Sequence, residues 1–205
     1  MKLYLASNNE HKRREFEELL PEYEIILPKD EGYEFNPVED GKSFIENALI
    51  KAEELYRIIG KPCIADDSGL CVDAFGGKPG IHTARYGEEG GGKLTDKEKY
   101  TLLLKNMEGL ENRKARFVCT MVLIVDEHNK YVVEKSVEGR IVREAEGEGG
   151  FGYDPVFYNE EAMAVSANLT VEEKNTYSHR AKAANAIKKI LEMEKETIWK
   201  EMNRK

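Results

Sequence analysis

Over the first third of this chain, short apolar runs alternate with stretches that open on helix-capping residues, and that order restricts the fold more than any single motif. Lys2 to Ala6 reads as a buried strand. Ser7, Asn8 and Asn9 then supply caps for a helix with apolar positions Phe16, Leu19, Leu20 and Tyr23, and Pro21 is expected to end it. Ile25 to Leu27 is a candidate second strand, and the polar stretch Pro28 to Gly41 a loop. Ser43-Phe44-Ile45-Glu46 has the form of a capping box, and the helix it opens should run to Ile59, closed by Gly60 and Pro62. An apolar strand carrying Asp66 and Asp67 follows and runs into Ser68-Gly69, a turn-like pair, with Leu70 to Val72 as a further piece of strand.

The second half breaks the alternation. Phe75 to Gly92 is rich in glycine, with one helical turn at Ile81 to Arg85, and Thr95 opens a helix that buries Tyr100, Leu103, Leu104 and Met107. Ala115 to Val125 and Tyr131 to Val137 read as strands joined across Glu127-His128-Asn129-Lys130, a hairpin. Pro155 to Tyr158 is a short strand, Thr170 to Lys174 a helical turn, and Ser178 the cap of a terminal helix reaching about Trp199. Helix-linked strands pair in parallel and a hairpin pairs antiparallel, so the expected class is α/β, with a mixed sheet covered by helices on both faces.

Composition excludes several functions. The 205 residues suffice for one sizeable core, and 40% hydrophobic with 34% charged residues describes a globular protein. A net charge of -8 argues against nucleic acid as a partner, because a phosphate backbone demands a basic face. Cys63, Cys71 and Cys119 form no Cys-x-x-Cys pair, and none of the four histidines makes a zinc spacing with them. The start, Met1 to Ser7, is too short for a signal peptide, and the longest apolar run, Cys119 to Val125, is too short to span a bilayer. The expected setting is the cytoplasm, away from any membrane.

Two nucleotide-binding signatures fail on inspection. Gly41-Lys42-Ser43 ends like a P-loop, but Asn36 stands where the motif needs glycine. Gly147, Gly149 and Gly152 satisfy Gly-x-Gly-x-x-Gly, yet Asp154-Pro155 follows where a helix should begin. Other stretches suit phosphates and bases better. At Ser7 to Lys12 a strand delivers the chain to a helix start, whose amides, with Ser7, Asn9 and Lys12, suit an anion; plain capping is the alternative. Strand alternation lets one of Asp66 and Asp67 face open space while the other turns away, and fixed carboxylates of this kind commonly hold Mg2+; a solvated turn is the alternative. Asn47 and Lys51 share a helix face leading towards that strand. Phe151-Gly152-Tyr153-Asp154 places two aromatics on a compliant loop suited to stacking on a planar ligand, unless both plug the core. His179 and Arg180 add planar donors at the start of the last helix, where a salt bridge would be the bland role of Arg180.

Taken together, Ser7-Asn8-Asn9-Glu10-His11-Lys12, Ser43 to Ala52, Ala65 to Leu70, Pro79-Gly80-Ile81 with Ala84-Arg85-Tyr86, Gly150 to Pro155 and Ser178-His179-Arg180 resemble the inosine triphosphate pyrophosphatase family. They occur in family order from residue 3 to about 190. The resemblance implies Mg2+-dependent hydrolysis of non-standard purine nucleoside triphosphates (ITP, dITP, XTP) to the monophosphate and pyrophosphate, by a homodimer. It implies an elongated mixed sheet in a single domain of two lobes around a central substrate cleft. By matching position, Asp67 would be the general base and a metal ligand, and Glu39 the other metal-binding acid. Ser7, Asn8, Asn9, Glu10, His11, Lys12, Lys51 and Ser68 would hold the phosphates. Phe151, Gly152, Tyr153, Asp154, Lys174, His179 and Arg180 would form the base pocket. The alternatives are a related pyrophosphatase preferring pyrimidine or modified nucleotides and, in another class, a nucleotide-binding regulator without catalysis; a pair of metal-suited carboxylates speaks against the latter.

Overall fold

The computed structural model describes residues 1–203 and contains one sheet of seven strands in the order β2-β1-β3-β4-β5-β6-β7. The strands are β1 Lys2–Leu5, β2 Glu24–Ile26, β3 Cys63–Val72, β4 Lys114–Ile124, β5 Lys130–Ile141, β6 Phe157–Asn159 and β7 Ala164–Val165. The helices are α1 Glu10–Leu19, α2 Phe44–Ile59, α3 Asp96–Asn106, α4 Val171–Tyr177, α5 His179–Met193 and α6 Lys195–Met202. β1 runs parallel to β2 and β3, while β6 is antiparallel to β5 and β7. The sheet is therefore mixed and open, an α/β arrangement as the alternation of patterns predicts.

Local chemistry sets the helix ends. Asn9 caps α1, its Oδ1 accepting from the His11 and Lys12 amides, and Ser43 caps α2 by accepting from Glu46 N–H. Thr95 and Thr170 open α3 and α4 with complete capping boxes. At α2 the box is opened out: the Glu46 carboxylate takes the Lys42 amide instead of that of Ser43. Gly60 closes α2 at φ 60, a left-handed position where glycine carries no Cβ penalty.

Three expectations are corrected. Ser68-Gly69 is no turn: β3 runs unbroken from Cys63 to Val72. The Leu70 amide donates to Thr83 Oγ1, the Val72 amide to Lys78 O, and Cys71 bridges Pro79, so tertiary partners override the local turn preference. The terminal helix is interrupted at Glu194, whose carboxylate accepts from Tyr131 OH. Asp154–Val156 is a 3-10 turn, so the strand expected at Pro155 begins only at Phe157.

The chain divides into two compact units, one of Met1–Asp67, Cys119–Lys135 and the stretch from Arg180 onward, the other of Ser68–Val118 and Ser136–His179. In the first, strand alternation sorts the core onto two faces. Leu3, Leu5, Ile64, Cys119, Met121 and Leu123 pack with Phe16 of α1 and Ala183, Ala184, Ile187 and Leu191 of α5. Tyr4, Cys63, Ala65, Val122 and Ile124 pack with Ala48, Ala52 and Leu55 of α2. Helices thus cover both faces there. In the second unit Leu70, Val72, Phe117, Val137 and Ile141 gather around Leu103 and Met107 of α3, with Tyr153, Val156 and Phe157.

Candidate active site

Alternation along β3 gives its two neighbouring aspartates different surroundings. Asp66 is 1% exposed. Its Oδ1 accepts from Lys12 Nζ at 2.8 Å and its Oδ2 from Arg180 Nη2 and Nε at 2.9 and 3.2 Å. Arg180, itself buried, also donates to Glu15. Burial alone would raise the Asp66 carboxyl, but Lys12, Arg180 and Lys51 hold it well below the usual carboxylate range. The nearby Cys119 thiol is pushed up to about 12, by burial first and by the Asp66 charge second.

Asp67 meets a different set. Its Oδ1 accepts from Lys51 Nζ at 2.8 Å and its Oδ2 from Asn47 Nδ2 at 3.4 Å. The same Lys51 ammonium donates to Glu39 Oε2 at 2.9 Å, so one cation lies against two carboxylates from different parts of the chain. Burial pushes the Asp67 carboxyl above its usual range, an effect that Lys51 and Lys12 only partly offset and that the Asp66 charge reinforces. For Lys51, burial opposes the charge, but Asp67 and Asp66 outweigh it and raise its pKa. Glu39 and Asp67 thus offer hard oxygen donors to one cation. That chemistry fits Mg2+, which takes one or two carboxylates and fills its remaining positions with water and substrate phosphates. Among the described residues no group of three acidic, histidine or cysteine side chains makes a ready metal cage.

The segment between β1 and α1 is tightly organised. Ser7 Oγ accepts from the Asn9 amide at 3.0 Å, and Asn8 Nδ2 donates to Phe35 O at 2.7 Å. Asn9 caps the helix, Glu10 pairs with Lys29, and His11 gives its amide to the cap. Ser68 directly follows Asp67 in β3 and is half-buried. Ser7 to Lys12, Glu39, Lys51, Asp67 and Arg180 all belong to the first unit.

The second unit holds the aromatic loop. Asp154 Oδ2 accepts from the Phe151 amide at 2.9 Å and from Lys174 Nζ at 2.6 Å, and Lys174 Nζ lies 5.3 Å from the Phe151 ring centroid. Gly150, at φ 76, is required here, because a Cβ would meet Asp154 Oδ2 at 2.1 Å. Of the two aromatics only Phe151 is exposed, at 37%; Tyr153 is a core residue whose OH donates to Thr83 O. The Gly152 amide donates to Asp96 Oδ2 at 2.8 Å. The His179 ring stacks on Phe117 at 4.8 Å between centroids.

Sequence reasoning gave no role to Asn47, Gly41, Glu15 or Asp96. Asn47 had a signal in its spacing from Lys51. Glu15 had none, since it meets Arg180 from 165 residues away.

Comparison with known proteins places these residues in a family. The model of the Ham1 family matches residues 3–190, a span that contains every motif quoted above. A Treponema denticola protein named dITP/XTP pyrophosphatase is 49% identical over 191 residues, covering 93% of this chain and 98% of its own. A Thermus thermophilus protein of the same name is 46% identical over 190 residues, covering 91% and 90%. Among solved structures, the Staphylococcus aureus Ham1 protein superposes with a TM-score of 0.83 at 36% identity, covering 95% of this chain and 100% of that one. A nucleoside-triphosphatase, or dITP/XTP pyrophosphatase, from Mycobacterium abscessus does so with a TM-score of 0.73 at 38% identity, covering 91% and 98%. With the family model running through nearly the whole sequence, and with relatives close to half identical from end to end of the match, this chain belongs to the Ham1 family.

Proposed function

We propose that this chain hydrolyses non-standard purine nucleoside triphosphates (dITP, ITP and XTP) to the nucleoside monophosphate and pyrophosphate, working with Mg2+. The observation that carries the reading is the Lys51 ammonium lying 2.9 Å from Glu39 and 2.8 Å from Asp67, a cation position lined by hard oxygens. Its context supports the reading: the chain is 49% identical to a protein named dITP/XTP pyrophosphatase.

Glu39 and Asp67 would hold Mg2+, which would supply Lewis-acid polarisation and make water easier to deprotonate. Asp67 accepts the proton of the attacking water. An ordinary carboxylate, with a pKa of about 4, is a weak base, so this transfer relies on water that the bound metal would have acidified. Water adds at the α-phosphorus, the bond to the bridging oxygen breaks, and that oxygen leaves on pyrophosphate. Lys51 has a further N–H for a phosphate oxygen beyond those given to the two carboxylates. Ser7, Asn8, Asn9, Glu10, His11, Lys12 and Ser68 bind the triphosphate, with Lys12 and Lys51 supplying positive charge on a protein that is acidic overall.

For the base, the exposed Phe151 ring offers a stacking face, and Gly152, Tyr153 and Asp154 hold that loop in shape. Lys174 and the His179 ring supply donors to the 6-keto oxygen; Arg180, held by Asp66 and Glu15, is assigned to base recognition as well. Adenine presents a donor where the keto base accepts. A buried donor left unpaired in this way costs about 1–3 kcal/mol, so two or three together reject ATP. The expected assembly is a homodimer. The cytoplasm is the assigned compartment, in keeping with three buried free thiols and no described helix long and apolar enough to cross a membrane.

The test is incubation with Mg2+ and ITP, dITP, XTP, GTP or ATP, with pyrophosphate and orthophosphate measured separately. Pyrophosphate should be the first product, and fastest from the first three. Orthophosphate as the first product, or equal rates on ATP, would refute the reading.

A further inference from the structure

The loop that brings Glu39 to Lys51 is tied to α2 at two points. The Gly41 amide donates to Asn47 Oδ1 at 2.9 Å, and the Lys42 amide donates to Glu46 Oε2. Asn47 is 2% exposed and its other amide atom, Nδ2, faces Asp67 Oδ2 at 3.4 Å. A main-chain N–H can only donate, so the Gly41 contact fixes which way the Asn47 amide is turned. With Oδ1 committed to the loop, Nδ2 must present its donor to the carboxylate. The backbone approaches this closely only because residue 41 has no side chain. A Cβ there would stand 2.6 Å from Asn47 Oδ1 and 2.8 Å from Glu46 Cβ.

One buried amide therefore touches both the loop carrying Glu39 and the carboxylate of Asp67. We propose that Asn47 is a positioning residue, which sets the spacing and orientation of Glu39 and Asp67 as a pair and so the affinity of that pair for a divalent cation. The inference rests on the reading that Glu39 and Asp67 hold Mg2+. Asn47 contributes no ligand. It acts through the two groups that do, in the way that outer hydrogen-bond partners of metal ligands act elsewhere.

The test uses Asn47→Ala, Gly41→Ala and the double variant. Each is titrated with Mg2+ at saturating ITP, and Mn2+ binding is followed by EPR in the presence of an ITP analogue with nitrogen in the scissile bridge. Loss of an outer-shell partner commonly weakens metal affinity about 10- to 100-fold. Each single variant should accordingly need roughly tenfold more Mg2+ for half-maximal rate, bind Mn2+ correspondingly more weakly, and keep its KM for ITP within about twofold at saturating Mg2+. The double variant should fall short of the product of the two single effects, because both break the Gly41–Asn47 contact, while the added Cβ also meets Glu46 Cβ whichever residue stands at 47. Unchanged metal dependence in a folded single variant, or effects that multiply in the double one, would overturn the proposal; if Asn47→Ala is not recovered folded, Gly41→Ala alone decides. Asp67→Asn serves as the control. If it remains active, the metal-site reading itself has failed; if it is inactive while Asn47→Ala titrates like wild type, only the positioning role has.

Discussion

Asp66→Asn removes one negative charge while nearly preserving the shape of the side chain. In the wild-type protein that charge is 1% exposed and is met by Lys12 at 2.8 Å and Arg180 at 2.9 Å. Removing one partner of a buried pair strands the other, and such losses run to about 3–5 kcal/mol. Arg180 keeps Glu15, and asparagine still offers an acceptor, so the lower end, about 3 kcal/mol, is expected. For a chain of this size each kcal/mol moves Tm by roughly 2–4 °C, giving a drop of about 6–12 °C at pH 7. The pH dependence carries the sign. A carboxyl whose folded pKa is depressed stabilises fully above its unfolded value and loses that contribution as pH falls towards the folded one. The gap between wild type and variant should therefore stay constant from pH 7 to about pH 5 and then narrow, by about 1.3 kcal/mol at pH 3 for an unfolded pKa near 3.9. Urea unfolding followed by circular dichroism at several pH values measures this. A gap below 1 kcal/mol at pH 7, or one that does not narrow on acidification, would refute the buried ion-pair argument.

Three other outcomes follow from the proposed chemistry. Asp67→Asn should lower kcat on ITP by about 10^3-fold, within the range of a lost general base, while the circular dichroism spectrum stays that of wild type; near-normal turnover would remove Asp67 from catalysis. Phe151→Ala forfeits about 1 kcal/mol of stacking, which should raise KM for ITP roughly fivefold with little change in kcat; an unaltered KM would place the base elsewhere. Arg180→Ala should harm ITP and XTP turnover more than residual ATP turnover, and equal losses on all three would confine Arg180 to its ion pairs with Asp66 and Glu15.

What could be read from the sequence is what short-range physics encodes. Asn9, Ser43, Thr95 and Thr170 announce helix starts because a cap works within three residues, and each of them caps a helix in the structure. The different partners of Asp66 and Asp67 follow from the two-residue period of a strand, but both carboxylates are buried and neither faces the open space expected of one of them. Features decided by distant partners were not legible. Ser68-Gly69 has turn chemistry, yet Thr83 and Lys78 supply strand-like partners to the residues that follow. Glu194 interrupts the last helix without glycine or proline, and nothing nearby in sequence points to Tyr131. β7 is only Ala164–Val165, too short for any alternation to register. In the candidate site, Asp67 and Lys51 stand out in the sequence by strand alternation and helix spacing, and the structure brings them within 2.8 Å of each other. Asn47 is legible in part, through its spacing from Lys51, whereas Glu15 is defined by what it touches, which only the folded chain displays.

Turnover of ITP in water enriched with 18O, with each product analysed by mass spectrometry, tests the central claim most directly. Attack on the α-phosphorus, with Asp67 as the base, places the label in inosine monophosphate and leaves pyrophosphate unlabelled. Label in pyrophosphate would mean that water attacks the β-phosphorus, which contradicts the account.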